Sequence, residues 1–361
     1  TWSDDVDVAD IDGDGNLDFV VTGVSGVDKV YWFKNDGNAD PTWTRYEIGN
    51  VGRGEGIFAT DIDNDGDIDI LWTSYDDNSI AWFENDGNNT NWTENVITTA
   101  IDGPYEVYAA DIDSDGDIDI ISASSDDHAV AWHENNGAAN PTFSTSIIYS
   151  SNTETGMSEV TIGDIDGDGD LDIIAGGEST HHLIWFENDG ASNPGWTNNI
   201  LSTSLPSSTA GGTATIILED LDKDGDLDII TNQTGNNKNV WYENDGANDP
   251  SFTQKTIGTT ADAPTGLQVV DIDSDGDLDI ISSSRVGEKV QWFENDGSAT
   301  LGWNVANDIV TDISGLNKIF VADLDKDGDD DIIAVSAYGY GGSGSLAGHE
   351  ILWLESDVAS N

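Results

Sequence analysis

The chain has 361 residues, 71 of them acidic against 11 basic, and a formal net charge of -60. That balance excludes nucleic acid and anionic membranes as partners, since both demand clustered Lys and Arg, and no run of about 18 apolar residues exists to insert into a bilayer. The absence of cysteine removes disulfides, thiolate metal sites and cysteine nucleophiles, while 13 Trp, 9 Tyr and 9 Phe are too many aromatics for a disordered acidic chain.

The first predicted element is a short apolar strand running into an aspartate string at Asp10. The string returns at Asp61, Asp111, Asp164, Asp220, Asp271 and Asp323, at spacings of 51, 50, 53, 56, 51 and 52 residues. A period near 50 is the length of a four-stranded propeller blade. A second strand leaves each string, as in DIIS from Asp119. A third follows 21 or 22 residues after the first Asp in six repeats and 30 in the seventh. It is built on Trp32, Trp82, Trp132, Trp185, Trp241, Trp292 and Trp353, in the form WFENDG at Trp82, Trp185 and Trp292 and in close variants elsewhere. The Asn-Asp-Gly reads as a hairpin turn. A fourth strand starts at Trp43, Trp92, Phe143, Trp196, Phe252 and Trp303. All are β-branched or aromatic and bounded by Gly, Asn or Asp, and none has a helical period.

Seven such units stack and close. The expectation is an all-β, seven-bladed β-propeller of four-stranded antiparallel blades, a single domain over 1–361. The seventh blade should have three strands, because the chain stops at Asn361 and only nine residues precede Asp10. The tryptophans should fill blade-to-blade core, and His133, standing where other repeats carry Phe, is a core substitution. With no basic and apolar leader at Thr1, the chain reads as a mature product or an excised domain.

The aspartates need a cause, since they repel one another. Positions 1, 3, 5 and 9 of each string carry Asp and position 6 carries Gly, in all seven repeats. Glycine permits the tight turn that lets these side chains converge, and the carbonyl of position 7 adds an oxygen. So many hard oxygens suit Ca²⁺ better than Mg²⁺. An EF-hand is excluded, because position 12 is not Glu and strands flank the loop. The candidate ligands, counting position 7, are Asp10, Asp12, Asp14, Asn16 and Asp18 in the first repeat and Asp61, Asp63, Asp65, Asp67 and Asp69 in the second. The third offers Asp111, Asp113, Asp115, Asp117 and Asp119, and the fourth Asp164, Asp166, Asp168, Asp170 and Asp172. The fifth offers Asp220, Asp222, Asp224, Asp226 and Asp228, the sixth Asp271, Asp273, Asp275, Asp277 and Asp279, and the last Asp323, Asp325, Asp327, Asp329 and Asp331. About seven Ca²⁺ would bring the formal charge from -60 to -46.

The D-x-D-x-D-G-x-x-D loop between the first two strands of each repeat resembles the FG-GAP/VCBS repeat of integrin α-like calcium-binding propellers, over essentially the whole chain. The resemblance implies calcium on one face of the propeller, held by the four Asp of each loop, and a secreted or cell-surface location. The literal Phe-Gly and Gly-Ala-Pro words are absent, so the chain is more similar to the bacterial and archaeal VCBS type, and integrin-like partners do not follow.

A ligand rim is expected on the opposite face. Its candidates are Arg53, Trp72, Tyr75, Tyr105, His128, His181, His182, Arg285, Tyr338, Tyr340 and His349, suited to sugar stacking or a protein partner. Three function classes stay open. The favoured one is an extracellular binding or adhesion module for glycan or protein. The others are a structural unit of a surface layer or filament, joined by self-association or by a neighbouring domain at the open edge of blade seven, and a polysaccharide lyase or glycosidase. Catalysis is the weakest reading: the basic side chains are few, the five His are scattered, and neither a Gly-x-Ser-x-Gly elbow nor an HExxH motif occurs. A pair of glycosidase carboxylates stays open in so acidic a chain. Asn88, Asn91 and Asn232 head N-glycosylation sequons.

Overall fold

A computed structural model describes residues 5–22, 29–151, 156–177, 182–202, 215–260, 262–298, 301–304, 307–336 and 350–355. Blade one comprises β1 (Val6–Ala9), β2 (Asp18–Thr22), β3 (Lys29–Asn35) and β4 (Trp43–Asn50). Blade two has β5 (Gly54–Thr60), β6 (Asp69–Ser74), β7 (Ser79–Asn85) and β8 (Trp92–Thr98), and blade three β9 (Pro104–Ala110), β10 (Asp119–Ser124), β11 (Ala129–Asn135) and β12 (Phe143–Ser150). Blade four has β13 (Met157–Gly163), β14 (Asp172–Gly177), β15 (Leu183–Asn188) and β16 (Trp196–Ser202), and blade five β17 (Ile216–Glu219), β18 (Asp228–Gln233), β19 (Lys238–Asn244) and β20 (Phe252–Thr259). Blade six has β21 (Pro264–Val270), β22 (Asp279–Ser284), β23 (Lys289–Phe293) and β24 (Asn307–Thr311), and blade seven β25 (Leu316–Ala322), β26 (Asp331–Ser336) and β27 (Glu350–Leu354). Each is an antiparallel meander in chain order, with four strands in six blades and three in the last. In blade six Trp303 makes only an isolated bridge to Asn295, and the outer strand begins at Asn307 rather than at the aromatic.

Every core lies between two blades. Strand side chains alternate, so Trp82 enters the core shared with blade three while Phe83 enters the one shared with blade one. Trp32, Trp82, Trp132, Trp185 and Trp241 are at most 2% exposed, which confirms them as packing residues. Each full burial is worth roughly 5 kcal/mol of transfer free energy before entropy is charged. The ring closes where Val6, Phe19, Val21 and Tyr31 of blade one meet Leu324, Ile333 and Val335 of blade seven. Trp72 belongs to the core between blades one and two, stacked on Phe83 at 5.6 Å and 3% exposed. It does not stand on a rim.

His133 is fully buried, between the hydroxyls of Ser122 and Thr145, each 2.9 Å from a ring nitrogen. Burial pushes its pKa down to about 4. An unfolded histidine titrates near 6.5, so between these values the unfolded chain binds more protons and stability falls as pH falls. The expected result is a stability loss between pH 6.5 and 4, of order 3 kcal/mol, that His133→Phe abolishes. Urea midpoints of both proteins across that window would check it, and parallel curves would show that His133 carries no such linkage.

Candidate metal centre

The loops between the first two strands of all seven blades share one backbone shape. Position 4 has φ near +60° whether it is Gly13, Asn64, Ser114 or Lys223, and the position-6 glycines have φ between +90° and +104°, a region closed to side chains at low cost. The turn is fastened by its own aspartates. In six blades the position-1 carboxylate accepts the peptide N–H of the position-6 glycine at 2.8–3.1 Å. In all seven the position-5 carboxylate accepts the N–H of position 7 at 2.9–3.2 Å.

Eight of the fourteen position-1 and position-3 carboxylates leave one oxygen shielded without a donor. Oδ1 of Asp10, Asp12, Asp111, Asp113, Asp164, Asp220, Asp222 and Asp323 is shielded from solvent and receives no hydrogen bond. In blades one, three, four and five, the carboxylates of positions 1, 3 and 5 bring an oxygen each within 4.8 Å of one another. In blade two Asp61, Asp63 and Asp69 do so. Acceptors without donors, packed this closely, are unfavourable alone and are relieved by a cation or by protonation. The residues therefore fit calcium by donor chemistry.

The position-9 aspartate has a second task. It is buried in every blade. In six blades Oδ1 accepts the N–H of the asparagine that ends the third strand, at 2.7–2.9 Å. Burial pushes Asp18 up to about 6, Asp69 to about 8, and Asp119, Asp172, Asp228 and Asp279 to about 7, against the pull of those N–H bonds.

That asparagine was read from sequence only as part of a turn. Asn35, Asn85, Asn135, Asn188, Asn244 and Asn295 are at most 3% exposed. Each donates its side-chain amide to the position-8 carbonyl of its own loop, at 3.0–3.1 Å. The first five also donate to the position-2 carbonyl of the preceding blade's loop, and the bond from Asn35 to Leu324 closes the ring. The signal was its recurrence with Asp at position 9.

The following glycine lies against the same loop. Gly137 has φ +62°, and a Cβ there would come 1.9 Å from Oδ2 of Asp117. Gly137→Ala is expected to cost about 1–3 kcal/mol, read as a lower urea midpoint of the calcium-loaded protein. An unchanged midpoint would mean that the loop yields freely.

The inner strands surround a cavity of about 420 Å³ lined by residues from all seven blades. Lys318 of blade seven reaches across it. Its ammonium donates to Glu106 of blade three at 3.2 Å and lies 3.7 Å from Glu159 of blade four and 3.9 Å from Asp5 of blade one. Though burial opposes its charge, the three carboxylates raise its pKa well above the ordinary value. Asp5 and Asp7 also accept the peptide N–H groups of Ile57 and Ala59, which satisfies part of the edge of β5.

Several expected rim residues tie blades together. The Arg53 guanidinium stacks on Tyr75 at 4.2 Å and pairs with Glu55. The Tyr75 hydroxyl donates to Asp126 at 2.7 Å, and burial with that bond raises its pKa to about 12. The Tyr105 carbonyl accepts from Thr73, Nδ1 of His128 contacts Ser125 O and Gly156 N, and Arg285 donates to Asn317. His182 directly precedes β15. His181, Tyr338, Tyr340 and His349 lie outside the described residues. Asn88 and Asn91 are exposed, whereas Asn232 is buried and bonded to Thr265 O, which denies it to a glycosyltransferase acting on the folded chain. Among the described residues no helix is long and apolar enough to cross a membrane.

Comparison with known proteins gives a family and a fold. The sequence profile described as FG-GAP-like repeat matches residues 10–72, 61–122, 111–175, 164–231, 220–282 and 274–334. No curated protein matches. Among solved structures, a lectin of Agrocybe aegerita recognising non-reducing terminal N-acetylglucosamine is 17% identical, with a TM-score of 0.58, covering 98% of this chain and 94% of the lectin. A periplasmic gluconolactonase of Pseudomonas aeruginosa is 12% identical, with a TM-score of 0.56 and 84% of each chain covered. A putative 6-phosphogluconolactonase of Bacteroides uniformis is 11% identical, with a TM-score of 0.59, covering 88% of this chain and 92% of that one. At these identities the likeness is one of fold.

Proposed function

Because this chain belongs to the FG-GAP-like repeat family, we propose that it is an extracellular, calcium-stabilised propeller, one domain over 1–361, that serves as a binding or adhesion module for a glycan or a protein. The observation that carries the reading is the set of shielded, donorless carboxylate oxygens in its loops, such as Oδ1 of Asp111 and Asp113. Calcium accepts six to eight oxygens in flexible geometry. Positions 1, 3 and 5, the position-7 carbonyl and a remaining lone pair of position 9 would supply them. Bound there, the metal would offset part of each loop's negative charge. Millimolar calcium outside cells suits such sites.

A lectin among the propellers of like fold supports a glycan as ligand. The surface for it is the face away from the aspartate loops, where Arg53, Tyr75 and Asp126 already form a stacked, hydrogen-bonded group. A glycan array probed in calcium tests this. Binding that survives substitutions in the aspartate loops but not around Tyr75 is expected. A ligand clasped among the aspartate loops would overturn the assignment of faces.

One observation favours a second reading, a structural unit of a surface layer or filament. Among the described strands β27 pairs with β26 alone, and an open edge invites a strand from another polypeptide. Concentration-dependent assembly of the full native polypeptide in solution scattering would favour it.

A further inference from the structure

The first blade differs from the others where the charge of its loop is set. The residue between the aromatic that follows Trp and the joint asparagine is Glu84, Glu134, Glu187, Glu243 and Glu294 in blades two to six, but Lys34 in blade one. Position 7 is Asn16 there and Asp in the six other loops. Loop one with Lys34 thus carries a formal charge of -3, and loop two with Glu84 carries -6.

The geometry puts this difference at the metal centre. Lys34 lies one residue before Asn35 on β3, as Glu84 lies before Asn85 on β7, and both asparagines bond the position-9 aspartate of their own loop. Nζ of Lys34 donates to Oδ2 of Asp12 and, at 2.8 Å, to Oδ2 of Asp14. These are positions 3 and 5, two of the groups assigned to the cation. The other lysines near loops behave differently. Lys326 of blade seven donates to the Gly15 carbonyl and to Asn16 Oδ1, and Lys223 of blade five to the Gly276 carbonyl and Asp277. Both bind the outside of a neighbouring loop at positions 6 and 7.

We propose that Lys34 is a built-in cation for the first loop, so that calcium fills the other six loops and leaves the first metal-free at concentrations that saturate the rest. The proposal rests on the calcium reading above. An ammonium on Oδ2 of two carboxylates supplies in place part of the charge that the metal would bring, though Oδ1 of Asp10 and Asp12 keeps no donor. Calcium would have to displace it, and affinity in such loops follows the count of ligand charges. The loop that lies at the closure of blades seven and one thereby keeps its shape when calcium is scarce.

Native mass spectrometry of the full chain, equilibrated with calcium and paired with calorimetric titration, tests this by counting ions. Six are expected in the wild type and seven in Lys34→Glu. The reciprocal Glu84→Lys should hold five, and circular dichroism would confirm that each variant keeps its β fold. Seven equivalent ions in the wild type, or counts that do not move with either substitution, would overturn the role of Lys34 and leave calcium binding intact. No bound calcium in any of the three would overturn the calcium reading itself.

Discussion

Excess EDTA is expected to lower the melting temperature by roughly 20 °C. A ligand bound only to the folded state at about 100 times its Kd contributes ~2.7 kcal/mol per site, so six or seven sites contribute roughly 16–19 kcal/mol. Divided by the unfolding entropy of a chain this long, about 2.1 cal/mol/K per residue, that gives the stated shift. The pH response should reverse as well. Without metal, the position-9 carboxyls titrate at about 6 to 8 when folded and near 3.9 when unfolded. Their folded pKa is raised, so the stability they contribute is full below about pH 4 and is lost as pH rises through 6 to 8. In EDTA the melting temperature should therefore rise as pH is lowered from 8 to 6.5. In calcium it should fall, because protons compete with metal for the same oxygens. Differential scanning calorimetry in both buffers reads both effects. An unchanged melting temperature after confirmed metal removal would sink the structural role of calcium.

Replacing Lys318 by Met should cost about 3–5 kcal/mol, the usual penalty for removing one partner of a buried ion pair. Methionine fills similar space but leaves Glu106, Glu159 and Asp5 facing one another across the cavity without a cation. The loss should be largest at high pH and shrink on acidification, as the orphaned carboxyls take up protons. Denaturant midpoints at pH 5 and pH 8 measure it. A pH-independent loss would mean that lost packing, not uncompensated charge, is responsible.

What could be read in the sequence was whatever is local and repeated. The aspartate string and its glycine sit within nine residues, and the Trp strand follows at a nearly fixed distance, so blade number, strand order and the clustering of the aspartates were all legible. Asn35 was not, because its partner Leu324 is 289 residues away. Nothing about an Asn-Asp-Gly turn says that its first residue reaches another blade. Trp72 was misplaced for a different reason. Strand β6 is buried along its whole length, so alternation gives no outward side, and an unusual aromatic there looked like a ligand platform. Nothing local in LNKIF marks Lys318. Only ring closure turns seven inner strands towards one axis and brings it to three carboxylates from three other blades.

The asparagine joints also bear on how the loops fill. Asn85 holds the position-8 carbonyl of its own loop and the position-2 carbonyl of the loop before it, and Asn135, Asn188 and Asn244 repeat the arrangement. A metal that orders one loop therefore removes part of the disorder its neighbour must lose to bind. Coupling of that kind is cooperative without any change of shape. It is reciprocal between adjacent sites, and because Asn35 joins blade one to blade seven it runs along an arc from blade seven through blades one to five. Occupancy should consequently spread from loop to loop as a nearest-neighbour process, steeper in calcium than any one loop cut from the ring could show.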